Sequence, residues 1–189
     1  MAVLAEGISV IIRKNSVEQK YPGGLVAFNA VPKFATCADD EIIRVGFMDP
    51  QDAEAFIINL EIHGGLQFMS NGKSMDMAVA DQQKGLIVAE CDWLEFGRLQ
   101  LGEDKVVSVC WFFDGPRQFG HGTYMYDTEM EIATPQGWEY EGSLSDKFRY
   151  APKGAERDHL KFLRSENNMD VYLDLETGKE FFVGRNKEK

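Results

Sequence analysis

The stretch KVVSVCWFF at residues 105–113 decides the fold, because it is the longest nearly continuous apolar run in the chain. Its branched and aromatic side chains lose rotamer freedom in a helix and pack well on a sheet. The run has the length of a strand and is closed by Asp114-Gly115-Pro116, which favours a turn. We therefore predict the central strand of a sheet, buried on both faces.

Upstream of this run, residues 1–85 combine strand signals with two helix signals. Strands are predicted at residues 8–12, 34–38, 41–48, 66–69 and 75–80. One helix begins near residue 15, is interrupted at 22–24 and resumes to residue 30, and a second helix covers residues 50–63. The resulting order is β-α-β-β-α-β with one extra strand. It is the order of a split βαβ unit, which places two helices on one face of an antiparallel sheet.

Local residues predict where these helices begin and end. Asp49 is a good N-cap, Pro50 fits the first helical position, and Gly64-Gly65 favours the end of the second helix. Ser16 and Gln19 have the spacing of a capping box, so we expect the Ser16 hydroxyl to bond the backbone amide of Gln19.

Residues 86–189 are β-rich and contain several hairpin signals. Strands are predicted at residues 86–91, 93–101, 106–113, 123–133, 138–144, 160–164, 169–175 and 181–183. No linker rich in proline, serine or charge separates this part from residues 1–85. The chain is therefore either two small domains divided near residue 85 or one continuous domain, in both cases of the α+β class with antiparallel sheet.

The charge balance limits the classes of partner. The chain has 31 acidic and 20 basic residues, a net charge of −11, which repels nucleic acid and anionic membranes at long range. No apolar run approaches membrane length and no secretory signal is visible. Three cysteines without close pairs favour a reducing compartment, so we predict a cytoplasmic protein.

Metal, nucleotide and thiol chemistry are not indicated. The histidines and cysteines are scattered, whereas a structural zinc site wants close pairs, so no metal or cofactor is expected. Gly72-Lys73-Ser74 resembles the end of a phosphate loop, but the upstream glycine is missing and the segment is typical of a hairpin turn. Glu90 and Asp92 flank Cys91 and disfavour its thiolate.

The glycine-rich loop at residues 114–122 is one candidate functional site, because it follows the predicted central strand. In an enzyme or a small-molecule-binding protein, Asp114 and His121 would be the acid–base pair and Arg117 would hold an anion. A solvated turn explains the same residues without any function.

The hairpin predicted from residues 123–133 and 138–144 is the second candidate. Side chains alternate along a strand, so Tyr126, Met130, Ile132, Trp138 and Tyr140 share one face. The opposite face carries Asp127, Glu129, Glu131, Glu139 and Glu141. Like charges across strands repel, so solvent, basic residues such as Lys147, Arg149 or Arg157, a cation or a basic partner must offset them.

The sequence thus favours a non-catalytic binding or inhibitory protein that engages a basic protein surface through an acidic β-hairpin. The alternative is an enzyme or ligand-binding protein that uses the loop at residues 114–122. A third interpretation is a homo-oligomer that pairs through the edge of the C-terminal hairpin. The oligomeric state and the identity of any partner do not follow from the sequence.

Overall fold

The structure is a computed structural model, and its description covers part of the chain. It describes residues 1–189 except 32–34, 87, 102–104, 114–130, 151–159, 167–168, 176–177, 179 and 185–189. The fold is mixed α+β with mostly antiparallel sheets, as the sequence predicts. No helix in the described ranges is both long enough and apolar enough to span a bilayer.

The first part of the chain alternates short strands with three helices. Its elements are β1 (Ala2–Leu4), β2 (Ile8–Arg13), α1 (Lys14–Lys20), α2 (Gly24–Ala30), β3 (Thr36–Ala38), β4 (Ile42–Phe47), α3 (Pro50–Gly64), β5 (Met69–Ser70), β6 (Lys73–Ser74), β7 (Met77–Asp81) and β8 (Gly85–Leu86). The second part contains β9 (Leu94–Gln100), β10 (Val106–Phe112), β11 (Ile132–Ala133), α4 (Leu144–Lys147), β12 (Phe148–Tyr150), β13 (Leu160–Glu166), β14 (Met169–Asp174) and β15 (Glu180–Gly184).

A five-stranded sheet in the order β3-β4-β2-β7-β8 organises the first part. β2 pairs antiparallel with both β4 and β7, and β3 pairs antiparallel with β4. β2, which leads into α1, therefore lies between β4, which leads into α3, and β7, the next strand of this sheet after α3. This is the split βαβ arrangement, so the predicted element order and its topology are confirmed.

A four-stranded sheet in the order β11-β1-β10-β9 contains the apolar run with which the sequence analysis begins. β10 lies between β1 and β9, and every residue from Val106 to Trp111 is at most 9% exposed. The prediction of a buried interior strand is confirmed. β1 was not predicted, and it joins the start of the chain to this sheet.

The five-stranded sheet is buried on both faces. On one face α1, α2 and α3 cover a helix-side core of Val10, Ile12, Val17, Phe28, Ile43, Val45, Ala53, Ile57, Leu60, Leu66, Met77 and Val79. On the other, the four-stranded sheet completes an inter-sheet core that includes Val3, Leu4, Ile11, Cys37, Ile42, Ala78, Ala80, Trp93, Leu94, Val109 and Cys110. Alternation along β2 divides the residues, since Val10 and Ile12 face the helices and Ile11 faces the second sheet.

Most of the predicted helix boundaries are confirmed. The Asp49 carboxylate accepts a hydrogen bond from the Gln51 amide at 2.7 Å, Pro50 begins α3, and Gly65 ends it with a φ of 67°. The prediction of a capping box at Ser16 is wrong. α1 begins at Lys14, and the Ser16 hydroxyl, now inside the helix, donates instead to the Asp76 carboxylate at 2.7 Å.

The turn at residues 71–72 confirms the rejection of a phosphate loop. Asn71 and Gly72 join β5 to β6 with φ angles of 50° and 79°, the positive values of a type I′ hairpin turn. A phosphate loop leads from a strand into a helix, and β6 is a strand.

The C-terminal residues form a separate four-stranded sheet in the order β12-β15-β14-β13. β13, β14 and β15 are successive antiparallel strands, as predicted, and β12 adds in parallel to β15. Along β13, residues 161–165 are exposed, and the register shifts between Phe162 and Arg164. The bulge and the exposed Phe162 mark β13 as an edge strand.

The prediction of a strand at residues 138–144, the second strand of the acidic hairpin, is wrong. Residues 138–143 form turns rather than a strand, and residues 144–147 form α4. β11 pairs with β1 in parallel, and the Ala2 amide donates to the Glu131 carbonyl at 3.0 Å. In its described residues, 131–133, the predicted first strand of the hairpin thus pairs with the N-terminal strand. Residues 114–130, including the first part of the predicted hairpin, lie outside the described ranges.

Candidate functional site

Glu6 fixes the position of residues 138–145, which carry the candidate carboxylates Glu139 and Glu141. It lies in the bend between β1 and β2, where the chain passes from one sheet to the other. Its carboxylate accepts hydrogen bonds from the Trp138 indole Nε1 at 3.0 Å and from the Ser145 amide at 2.7 Å. Bonds from both ends of residues 138–145 to one carboxylate hold this irregular segment against the sheets.

We use the name acidic segment for residues 127–146, which contain Asp127, Glu129, Glu131, Glu139, Glu141 and Asp146. From residue 118 to residue 146 the chain has no lysine or arginine. This depletion of basic residues is a signal that the alternation pattern alone does not reveal. It means that any internal neutralisation must come from other parts of the chain.

Aromatic and acidic residues still alternate between residues 138 and 141, although these residues do not form a strand. Trp138 and Tyr140 pack against the inter-sheet core and contact each other edge to face, with ring centroids 6.4 Å apart. Glu139 and Glu141 are exposed. The aromatic side chains anchor the segment, and the carboxylates between them face solvent.

Lys105 neutralises one of these carboxylates. Its Nζ donates to the Glu141 carboxylate and lies 5.2 Å from the centroid of the Tyr140 ring. The hydrogen bond raises the pKa of Lys105 and lowers the pKa of Glu141. Both groups are exposed, so the pair contributes little to the stability of the fold. The sequence pointed to Lys147, Arg149 or Arg157 for this role and missed Lys105.

The remaining predicted partner-binding residues divide into two groups. Glu131 and Glu139 are exposed and form no ion pair within the described ranges. Asp127 and Glu129 lie outside those ranges, as do the alternative catalytic residues Asp114, Arg117 and His121. The structure therefore places Glu131, Glu139 and Glu141 at the surface, and a common face for all five carboxylates stays a prediction.

The last described residues before the glycine-rich loop belong to a cluster of one cation and two aromatic rings. β10 ends at Phe112, and the Phe113 amide donates to the Trp93 carbonyl at 2.8 Å. The Arg13 guanidinium carbon lies 5.6 Å from the ring centroids of both Trp93 and Phe112. Sequence reasoning expected a guanidinium from Arg117 in this region and did not single out Arg13.

All three cysteines are unpaired thiols and belong to the structure rather than to a reactive site. Cys37 and Cys110 are buried in the inter-sheet core, and Cys91 packs against it. Burial raises the pKa of each thiol, and the Asp92 carboxylate adds a smaller contribution for Cys91. A buried thiol with a raised pKa is a weak nucleophile.

A polar cluster around Asp76 has a structural role at the edge of the helix layer. Asp76 is 4% exposed, and its carboxylate accepts from Ser16, from Lys20 Nζ at 2.7 Å and from the Gln67 amide at 2.8 Å. Burial alone would raise the pKa of Asp76, but these hydrogen bonds outweigh it and lower the pKa. The cluster ties α1 to the segment that leads into β7.

Among the residues that the structure describes, no group of three or more histidine, cysteine, aspartate or glutamate side chains could hold a metal ion. Comparison of the chain with protein-family models, curated proteins and solved structures found no match.

Proposed function

We propose that the protein is a non-catalytic binding or inhibitory protein of the cytoplasm, and that it engages a basic surface of a partner protein through the acidic segment. The observation that carries this proposal is a pair of exposed carboxylates on an anchored scaffold. Glu131 and Glu139 have no ion pair among the described residues, while Glu6 holds Trp138 and Ser145 in place. A fixed array of carboxylates suits a partner that presents lysine and arginine side chains.

Electrostatics gives this surface a kinetic signature. A net charge of −11 and a segment without basic residues should steer a basic partner toward the complex. Steering of this kind raises the association rate at low ionic strength and weakens as salt screens the charges. We therefore expect the association rate to fall by about tenfold or more between low and high salt.

The test compares two triple charge reversals in the full chain. The first, E129K/E131K/E139K, changes the acidic segment. The second, E18K/D40K/E54K, makes the same change in net charge at three exposed residues of the first part of the chain. Each variant and the unmodified protein are incubated with cell extract and treated with a carbodiimide, which joins carboxylates to lysines in contact.

The proposal expects one basic protein that cross-links to residues 127–146 of the unmodified chain and of E18K/D40K/E54K, but not of E129K/E131K/E139K. The purified partner should then associate more slowly as salt rises. Equal capture by E129K/E131K/E139K, or cross-links confined to other parts of the chain, would refute the proposal. Circular dichroism of both variants confirms that they remain folded.

The alternative function, an enzyme or small-molecule-binding protein that uses residues 114–122, has one supporting observation. Arg13 lies against Phe112, two residues before that loop begins. The alternative requires Asp114 and His121 to reach a common point within hydrogen-bonding distance. A crystal structure in which these two side chains point apart into solvent would remove it.

A further inference from the structure

Arg13 is held at the last position of β2 by contacts on both sides of its backbone. It pairs with Ile42 of β4, and its amide donates to the Asp76 carbonyl at 3.0 Å. Alternation along β2 places its side chain on the same face as Ile11, toward the four-stranded sheet. The backbone therefore directs the guanidinium to the rim of the inter-sheet core.

Two aromatic rings support the guanidinium there. Its central carbon lies 5.6 Å from the centroids of the Trp93 and Phe112 rings, which are themselves 6.3 Å apart at an interplanar angle of 34°. Trp93 is 6% exposed, and its Nε1 donates to the Ser74 carbonyl at 3.0 Å, so this ring has a fixed position. Contact of a guanidinium with aromatic rings leaves its N–H groups available to an acceptor.

The described part of the chain provides no acceptor for those N–H groups. Two carboxylates close to these contacts in the chain have other partners. Asp92, which precedes Trp93, lies 3.4 Å from Lys73 Nζ, and Asp76, whose backbone carbonyl accepts from the Arg13 amide, binds Lys20. The buried Arg44 shows the contrast, because it donates to the Ser9 hydroxyl and to two backbone carbonyls. Arg13 makes no side-chain hydrogen bond or ion pair within the described ranges.

We propose that Arg13 is the anion-binding residue of a small-molecule site, and that it takes a carboxylate or phosphate group of the ligand. A guanidinium matches the two oxygens of such a group with parallel hydrogen bonds. The aromatic rings exclude water from one side and hold the guanidinium in a fixed orientation, which reduces the cost of ordering it on binding. The inference is independent of the proposed protein-binding function, and neither requires the other.

The net negative charge of the chain does not prevent this binding. At physiological ionic strength the Debye length is about 8 Å, so carboxylates on distant surfaces are largely screened. The Asp92 carboxylate, next to Trp93 in the chain, lies 3.4 Å from Lys73 Nζ, which offsets part of its charge. A contact at hydrogen-bonding distance then determines whether an anion binds.

The test is a titration of the full chain with inorganic phosphate and, separately, with acetate, each against sodium chloride of equal ionic strength. The measured response is the change in the NMR signal of the Arg13 side-chain Nε–H group as anion is added. Tryptophan fluorescence is a second readout for the variants. R13M removes the guanidinium and keeps an apolar side chain of similar length. K84M is the matched control, because it removes one exposed positive charge at the β7–β8 turn, the opposite end of the five-stranded sheet.

We expect a saturable response in the unmodified chain and in K84M, and at least a tenfold weaker affinity in R13M. Tighter binding of phosphate assigns a phosphorylated ligand, and tighter binding of acetate assigns a carboxylate. R13K keeps the charge but loses the paired donors, so a severalfold weaker affinity is expected even if R13M fails to fold. No saturable response in the unmodified chain, or equal affinity in R13K, would overturn the proposal.

Discussion

The two faces of the five-stranded sheet are buried by different kinds of contact. Toward the helices, side chains such as Val10, Phe28 and Leu60 form an apolar core. Toward the second sheet, the buried residues include Arg44 and Gln82, each 2% exposed. Apolar contacts are non-directional, whereas buried polar groups require specific partners. Apart from the Asp76 cluster at its edge, the helix side therefore mainly stabilises the fold, and the inter-sheet side also determines where particular segments lie.

The polar groups between the sheets lead directly to the candidate sites. Arg44 donates to the Glu6 carbonyl, and Gln82 accepts from the Gly7 amide at 3.1 Å. These bonds fix the bend from which the Glu6 carboxylate reaches Trp138 and Ser145. Residues 138–145 of the acidic segment are thus held by the same network that joins the two sheets.

Replacement of Arg44 by methionine should produce the largest loss of stability. The apolar chain fills similar space but leaves the buried Ser9 hydroxyl without its donor and takes one donor each from the Glu6 and Ala35 carbonyls. We expect the free energy of unfolding to fall by about 4 kcal/mol, measured by urea denaturation. A loss smaller than that of a comparable apolar truncation on the helix side would contradict the difference between the two faces.

Leu60→Ala provides that truncation. Leu60 is 3% exposed in the helix-side core, and its loss removes apolar contacts without leaving a polar group unpaired. The expected loss is about 3 kcal/mol by the same measurement. Tryptophan fluorescence should stay close to that of the unmodified protein in the native baseline, because Trp93, Trp111 and Trp138 belong to the inter-sheet side.

Asp76→Asn tests the polar cluster at the edge of the helix layer, and its effect should depend on pH. The folded state lowers the pKa of Asp76 below the ordinary value of about 3.9. Its stabilising contribution is therefore fully present above that value and is lost as pH falls through the lower, folded-state pKa.

We expect Asp76→Asn to lower the free energy of unfolding by about 1–2 kcal/mol at neutral pH, a reduced figure because Lys20 is 43% exposed. The difference from the unmodified protein should shrink below about pH 4. Urea denaturation at several pH values measures it. A difference that stays constant down to pH 2 would show that the carboxylate charge does not matter.

The smallest effect is expected for Lys105→Met. Its partner Glu141 is exposed, and exposed ion pairs contribute little to stability. The urea midpoint should not change measurably. Loss of the positive charge should instead add Glu141 to the uncompensated carboxylates of the acidic segment and speed association with a basic partner.

The fold was predictable where local patterns and packing agree. The Asp49 cap, the Gly65 helix end and the apolar run that became β10 follow from residue type and spacing, and all three are confirmed. Ser16 shows the limit, because its capping signal was overridden by a carboxylate 60 residues away in the chain. β1 was missed for a related reason, since three residues carry too little pattern to indicate a strand.

The candidate site was predictable in part. Alternation correctly separated Trp138 and Tyr140 from Glu139 and Glu141, but it does not distinguish a strand from an irregular segment anchored by its aromatic residues. The anchor itself, Glu6, is more than 130 residues from Trp138 in the chain, and no local signal connects them. The division of the chain near residue 85 stays a prediction.

Hydrogen exchange of the Trp138 indole Nε1–H, followed by NMR in the unmodified protein and in Glu6→Ala, tests most directly whether the acidic segment is an anchored surface. We predict slow exchange in the unmodified protein and at least tenfold faster exchange in Glu6→Ala. The Trp93 indole, which donates to Ser74, should keep its rate in both and so report any general loss of structure. Exchange of the Trp138 indole at the rate of free tryptophan, or at the same rate with and without Glu6, would contradict the account.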